Sequence, residues 1–106
     1  MGFSALDGLM MGTRSGAIDA GVLLHLLRQG WDGAAIEKLL YRQSGLLGVS
    51  GLSADMRSLR ASSEPAARRA IELFTYRVLR ECGALTACLG GVDAIGFTGS
   101  TRSGRA

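Results

Sequence analysis

Glycine governs how this chain can fold: sixteen of its 106 residues are glycine, concentrated in residues 2–16, 30–33, 45–51 and 83–104. Glycine loses more backbone freedom on ordering than any other residue and weakens helix and strand interiors alike. The clusters therefore divide the sequence into apolar segments joined by turns. Residues 1–16 read as a loop with at most a short extended piece, since Gly2, Gly8, Gly12 and Gly16 oppose a helix and no apolar–polar alternation is sustained.

Between the clusters the apolar residues keep a helical period. Residues 18–29 predict a first helix, with Ile18, Val22, Leu23, Leu26 and Leu27 at three- and four-residue steps, Asp19 near the positive amino end and Gly30 as its stop. A second spans about 33–43, capped by Asp32, with Ile36, Leu39, Leu40 and Gln43 on one side and Gly45 breaking it. The two predict an αα-hairpin on the turn Gly30-Trp31-Asp32-Gly33, with Trp31 covering the junction.

Residues 45–51 read as a glycine-rich loop, after which Ser53 is placed to cap a brief helical segment through Arg60. Ser62-Ser63-Glu64-Pro65 opens the longest helix, along which Ile71, Phe74, Val78, Cys82, Leu85 and Leu89 form a continuous apolar stripe until Gly90-Gly91. Val92 to Phe97 reads as a short strand, weakened by Gly96. The expected fold class is mostly α with one short strand, and a lone strand expects sheet partners from elsewhere.

Charge and cysteine usage exclude several functions. Twelve basic and nine acidic residues give a net charge of +3, and apart from Arg68-Arg69 there is no basic run. The aromatic residues do not interleave with arginine as on a nucleic-acid surface, so a solvated helix face accounts for these charges. No uninterrupted apolar run is long enough to cross a bilayer. Neither nucleic acid nor a membrane is expected as a partner. Cys82 and Cys88 fall on different faces of one predicted helix, which opposes both a disulfide and a shared metal site, and no metal ligands are expected. Unpaired cysteines and the lack of a targeting segment predict a cytoplasmic setting.

The most pointed chemistry lies in residues 10–16, Met10-Met11-Gly12-Thr13-Arg14-Ser15-Gly16. A lone arginine between small residues can bring its guanidinium fork to an anion without steric obstruction, which suits phosphoryl chemistry. On residue type alone an ordinary surface arginine remains open. His25 lies among leucines and reads as a packing or partly exposed residue rather than an acid–base group; Met10 and Met11 read as packing residues.

With its neighbours from Met1-Gly2-Phe3 to Ala17-Ile18-Asp19, this stretch resembles the segment of the acetate/propionate kinase family in which an arginine contacts the transferring phosphoryl group. Arg14 is the matching residue. Ser44-Gly45-Leu46-Leu47-Gly48-Val49-Ser50-Gly51 followed by Asp55-Met56-Arg57 resembles a second family block, whose triplet lies by the adenine and ribose of the nucleotide. Phe74-Thr75-Tyr76-Arg77 and Leu89-Gly90-Gly91-Val92-Asp93-Ala94 follow in family order, so collinear blocks run from Met1 to about Asp93.

The resemblance implies an α/β parent fold of the actin-like, ribonuclease-H-like ATPase type, with nucleotide held between two domains. Residues 1–98 would be part of the carboxyl-terminal domain. The chain thus reads as a piece of a longer enzyme, with Arg14 as its one catalytic group and Asp55, Met56 and Arg57 bordering the nucleoside. The implied reaction is reversible phosphorylation of acetate, or secondarily propionate, by ATP with Mg2+; the parent's dimerisation through this domain makes a homodimer an expectation. The piece alone is expected to be inactive.

The tail, residues 99–106, departs from the family pattern. Where the family continues Gly-Ile-Gly-Glu after Phe97-Thr98, this chain has Gly99-Ser100-Thr101-Arg102-Ser103-Gly104-Arg105. Residues 94–105 resemble instead the glycine-rich turn at which aldehyde dehydrogenases hold the pyrophosphate of NAD; both turns bring backbone N–H groups to phosphate. Residues 95–106 are expected to be a working version of neither. The alternative for the whole chain is a noncatalytic helical interaction module or a gene remnant.

Overall fold

The computed structural model describes residues 2–98; the expected divergent tail, 99–106, lies outside them. Five helices follow an irregular opening segment: α1 (Ala20–Arg28), α2 (Gly33–Arg42), α3 (Gly45–Ser50), α4 (Met56–Ala61) and α5 (Pro65–Leu89). Local signals account for most of these boundaries. Asp19 and Asp32 cap α1 and α2, each accepting a backbone N–H at 2.8 Å, from Gly21 and Ala35. Pro65 opens α5, where its fixed φ and missing N–H cost nothing. Gly90 closes that helix in the left-handed region at φ 76°.

The spine is α5, whose 25 residues extend about 38 Å at the standard rise. Its first half carries α3 and α4. Ala67 and Ala70 are fully buried there, and their small side chains let Leu46 of α3 and Leu59 of α4 approach; Met10 completes the core from the opening loop. Met56, Ile71 and Phe74 pack around this cluster. Leu59 is 1% exposed, and burying one such side chain contributes about 1.5–3 kcal/mol. The predicted stripe on α5 is therefore covered only as far as Cys82: Leu85 and Leu89 remain 60% and 73% exposed.

Several expectations are corrected. Residues 45–51 are not a loop, because α3 occupies Gly45–Ser50. Its first amide donors, Leu46 and Leu47, find the carbonyl oxygens of Met11 and Gly12 at 3.0 and 2.9 Å, a tertiary contribution that local glycine content does not reveal. Asp55, not Ser53, caps α4, and the Ser53 hydroxyl accepts from the Asp55 N–H instead. Val92 to Phe97 forms no strand, nor does any other described segment. A strand needs a neighbouring strand for its ladder, and none is present among the described residues.

The predicted αα-hairpin also fails to close. No residue of α1 is buried, Val22, Leu24 and Leu27 are exposed, and Trp31 keeps 36% of its surface accessible. The short turn forms, with the Trp31 N–H donating to the Leu26 carbonyl. However, α2 commits its carboxyl end and its one buried residue, Leu40, to the loop that precedes α1. That leaves α1 only lightly covered, with Leu23 and Leu26 half-buried and no residue fully buried.

Candidate functional site

The loop bearing Arg14 is a doubled-back segment with short internal bonds. The Ala17 N–H donates to the Gly8 carbonyl at 2.8 Å, and inside that closure the Met11 N–H donates to the Arg14 carbonyl at 3.1 Å. Gly16 makes the reversal possible at φ 71°: a Cβ there would stand 2.7 Å from the Gly8 oxygen.

Two helix ends hold this loop. From the carboxyl end of α2, the Leu40 carbonyl accepts from the Ser15 N–H at 2.9 Å, and the Tyr41 carbonyl accepts from Thr13 Oγ1 at 2.7 Å. These are carbonyls that a helix terminus leaves without an internal donor. The Ser44 N–H donates to the Thr13 carbonyl at 2.9 Å, and the start of α3 binds the next turn through Leu46 and Leu47. Both immediate neighbours of Arg14 are thereby fixed to α2, while Met10 anchors the loop in the core.

Arg14 itself is exposed, and its guanidinium has no hydrogen bond or ion pair with any described residue. It borders a cleft of about 530 Å³ whose far wall is α2, with Lys38, Tyr41, Arg42 and Glu37. Three cationic side chains against one carboxylate favour an anion in this cleft. A pre-positioned, unspent guanidinium can bind two oxygens of a phosphoryl or carboxylate group in its plane.

The second predicted group sits at the start of α4, next to the same loop. Gly12 lies so close to Ala54 that a Cβ on it would stand 2.9 Å from the Ala54 carbonyl oxygen. Glycine at 12 is what lets the Arg14 loop and the residues leading into α4 touch. Within the triplet the roles divide. Asp55 spends Oδ2 on the N–H and hydroxyl of Ser58, at 3.3 and 3.1 Å; Met56 packs against the core; Arg57 is exposed.

One residue was not singled out by sequence reasoning. Arg77, half-buried on α5, donates from Nη2 to the Ala17 carbonyl oxygen at 3.0 Å. Its only sequence signal is membership of the Phe74–Arg77 block. His25 is exposed on α1, and Cys82 and Cys88 are both free thiols on α5.

A family model described as the acetokinase family matches residues 1–103. The chain belongs to this family. The match extends past Asp93, where the recognised blocks ended, and into the tail. Among acetokinase relatives, the acetate kinase of Rhodopseudomonas palustris (strain TIE-1) is 62% identical over 100 residues, covering 93% of this chain and 25% of the relative. The Rickettsia felis acetate kinase is 54% identical over 99 residues, covering 92% and 26%. Among solved structures, Porphyromonas gingivalis acetate kinase superposes with a TM-score of 0.86 at 40% identity, over 94% of this chain and 27% of that one. A propionate kinase from Francisella tularensis gives 0.70 at 41% identity, over 74% and 21%.

The chain thus spans about a quarter of the length of the acetokinase relatives it matches. Its helical fold is that of a part of acetate kinases, which have the actin-like ATPase architecture. No helix among the described residues is long and apolar enough to cross a membrane.

Proposed function

We propose that this chain supplies one wall of the phosphoryl-transfer cleft of an ATP-dependent short-chain carboxylate kinase. Acetate is the first-choice substrate and propionate the second. The observation that carries the reading is the unpartnered Arg14 guanidinium on a loop fixed by two helix ends. Family membership supplies the reaction.

In that reaction a carboxylate oxygen attacks the γ-phosphorus of ATP in line, and the bond to the β–γ bridging oxygen breaks. ADP leaves with the electron pair, acyl phosphate forms, and no proton need move. The transferring group carries its charge on three equatorial oxygens, so catalysis is mainly positioning and charge stabilisation. Arg14 would hold two of those oxygens. Its loop is already ordered, so little reorganisation is required at the moment of transfer.

Asp55, Met56 and Arg57 would border the nucleoside. Gly12 against Ala54 supports this reading by bringing the start of α4 beside the Arg14 loop. With the Asp55 carboxylate engaged in capping, Arg57 is the member with donors to spare. The family implies a magnesium ion; among the described residues no three His, Cys, Asp or Glu side chains converge, and magnesium that travels with ATP needs only one or two protein carboxylates beside the phosphates.

Positioning needs groups on both sides of the phosphate, so the chain alone is expected to bind ATP without turning it over. A coupled ADP-release assay should stay at background. Turnover that disappears in Arg14→Ala would overturn the expectation of an incomplete site. ATP with magnesium at about one hundred times Kd should stabilise the chain by about 2.7 kcal/mol in thermal unfolding. Arg14→Ala should remove most of that gain; equal stabilisation of both proteins would overturn the role of Arg14.

A second reading is a noncatalytic interaction module, favoured by the uncovered apolar residues of α1 and of the end of α5. Homodimerisation through these faces belongs to either reading. A cytoplasmic location follows from the kinase reading, whose substrates are metabolites. Residues 99–106 are proposed to contribute no working nucleotide turn.

A further inference from the structure

The two ends of the Arg14 loop are secured differently. Residues 11–15 are bound to α2 and α3 by backbone groups and the Thr13 hydroxyl, whereas residue 17, where the loop turns toward α1, has among the described residues one hydrogen bond from another element, that of Arg77. Beside this second arm lies an open groove of about 310 Å³, bordered by Met10, Ser15, Ile18, Val49, Leu73 and Arg77. The following helix α1 adds little hold of its own, because none of its residues is fully buried.

We propose that Arg77 is a positioning residue for Arg14, tying α5 to the Ala17 carbonyl beside the open groove and so fixing the arm of the loop that the α2–α3 corner does not hold. The proposal rests on the reading of Arg14 as the phosphoryl contact. The bond joins residues 60 positions apart and is charge-assisted on the donor side. Arg77 has no carboxylate partner among the described residues, so the Ala17 oxygen is its one structural engagement. Through the Ala17 N–H to Gly8 and the Gly16 reversal, a shift at residue 17 is passed directly to both strands of the doubled-back loop. Arg77 is not among the residues that line the cleft beside α2.

The test is amide hydrogen exchange on the full chain and its Arg77→Gln and Arg77→Lys variants. The reporters are the Met11 and Ala17 amides, bonded within the loop, and the controls are the Leu59 amide and those of Ala70 and Ile71. Arg77→Gln should speed exchange at the two reporters about fivefold while the controls keep their rates, and Arg77→Lys should recover part of the protection. Equal acceleration of reporters and controls would mean that Arg77 merely supports the fold; unchanged reporters would mean that the bond positions nothing. Either result overturns the proposal.

ATP affinity, measured with magnesium present, separates this proposal from the reading beneath it. Arg77→Gln should weaken binding in the Arg14 protein but not in the Arg14→Ala background. Equal weakening in both backgrounds would overturn the coupling. If Arg14→Ala leaves ATP affinity unchanged, the phosphoryl reading fails, and the exchange rates alone decide whether Arg77 fixes the loop.

Discussion

Gly45 holds a left-handed φ of 63°, and a Cβ there would run into the Met11 carbonyl oxygen and stand 2.8 Å from that of Arg14. Gly45→Ala is therefore expected to destabilise the chain by at least about 2 kcal/mol, since both the backbone conformation and the space forbid it. Gly83 gives the opposite sign. It lies inside α5 with nothing within 4 Å of its would-be Cβ, and Gly83→Ala should raise stability by about 1 kcal/mol. Urea unfolding of the two variants checks both. At Asp55, capping and ligand contact can be separated because asparagine caps as well as aspartate. Asp55→Asn should leave the midpoint of unfolding nearly unchanged, whereas Asp55→Ala should cost about 1 kcal/mol. A loss of ATP stabilisation in the asparagine variant would then report the carboxylate's charge.

Among the elements, α2 and α5 were readable from residues near their own ends: Asp32, Pro65 and Gly90 each act on the adjoining turn. The helix α3 was not, because its leading donors are satisfied by carbonyls of Met11 and Gly12, and a carbonyl oxygen leaves no trace in residue identity. The same reason divides the candidate site. Arg14 was visible from its small neighbours and its family block, but its supports were not, since Ser15, Thr13 and Arg77 all bond to backbone oxygens. The period of α1 was legible while the thin cover it receives was not; amphipathicity says which face wants cover, not how much is supplied. Leu59 joins α4 to α5, and Leu59→Ala should cost about 2–5 kcal/mol, enough to remove cooperative unfolding by circular dichroism in so small a core.

The whole molecule is extended, 47 × 37 × 21 Å, with one compact cluster around the first half of α5. Apolar residues at 18, 22, 24 and 27 and at 79, 85 and 89 stay in contact with solvent. Such surface favours association. Replacing Leu85 and Leu89 by glutamate should leave the unfolding free energy within about 0.5 kcal/mol, because neither is packed, while shifting sedimentation toward monomer. Unchanged sedimentation would assign association to the α1 face instead. Met10 links this distribution of packing to the chemistry: it lies in the hydrophobic cluster, four residues before Arg14 on a segment too tightly folded to stretch. The orientation of the guanidinium is thus inherited from the interior. Enlarging or emptying the space around Met10 would shift a charged loop at the surface from beneath, so displacement of Arg14 and loss of compactness would arrive together.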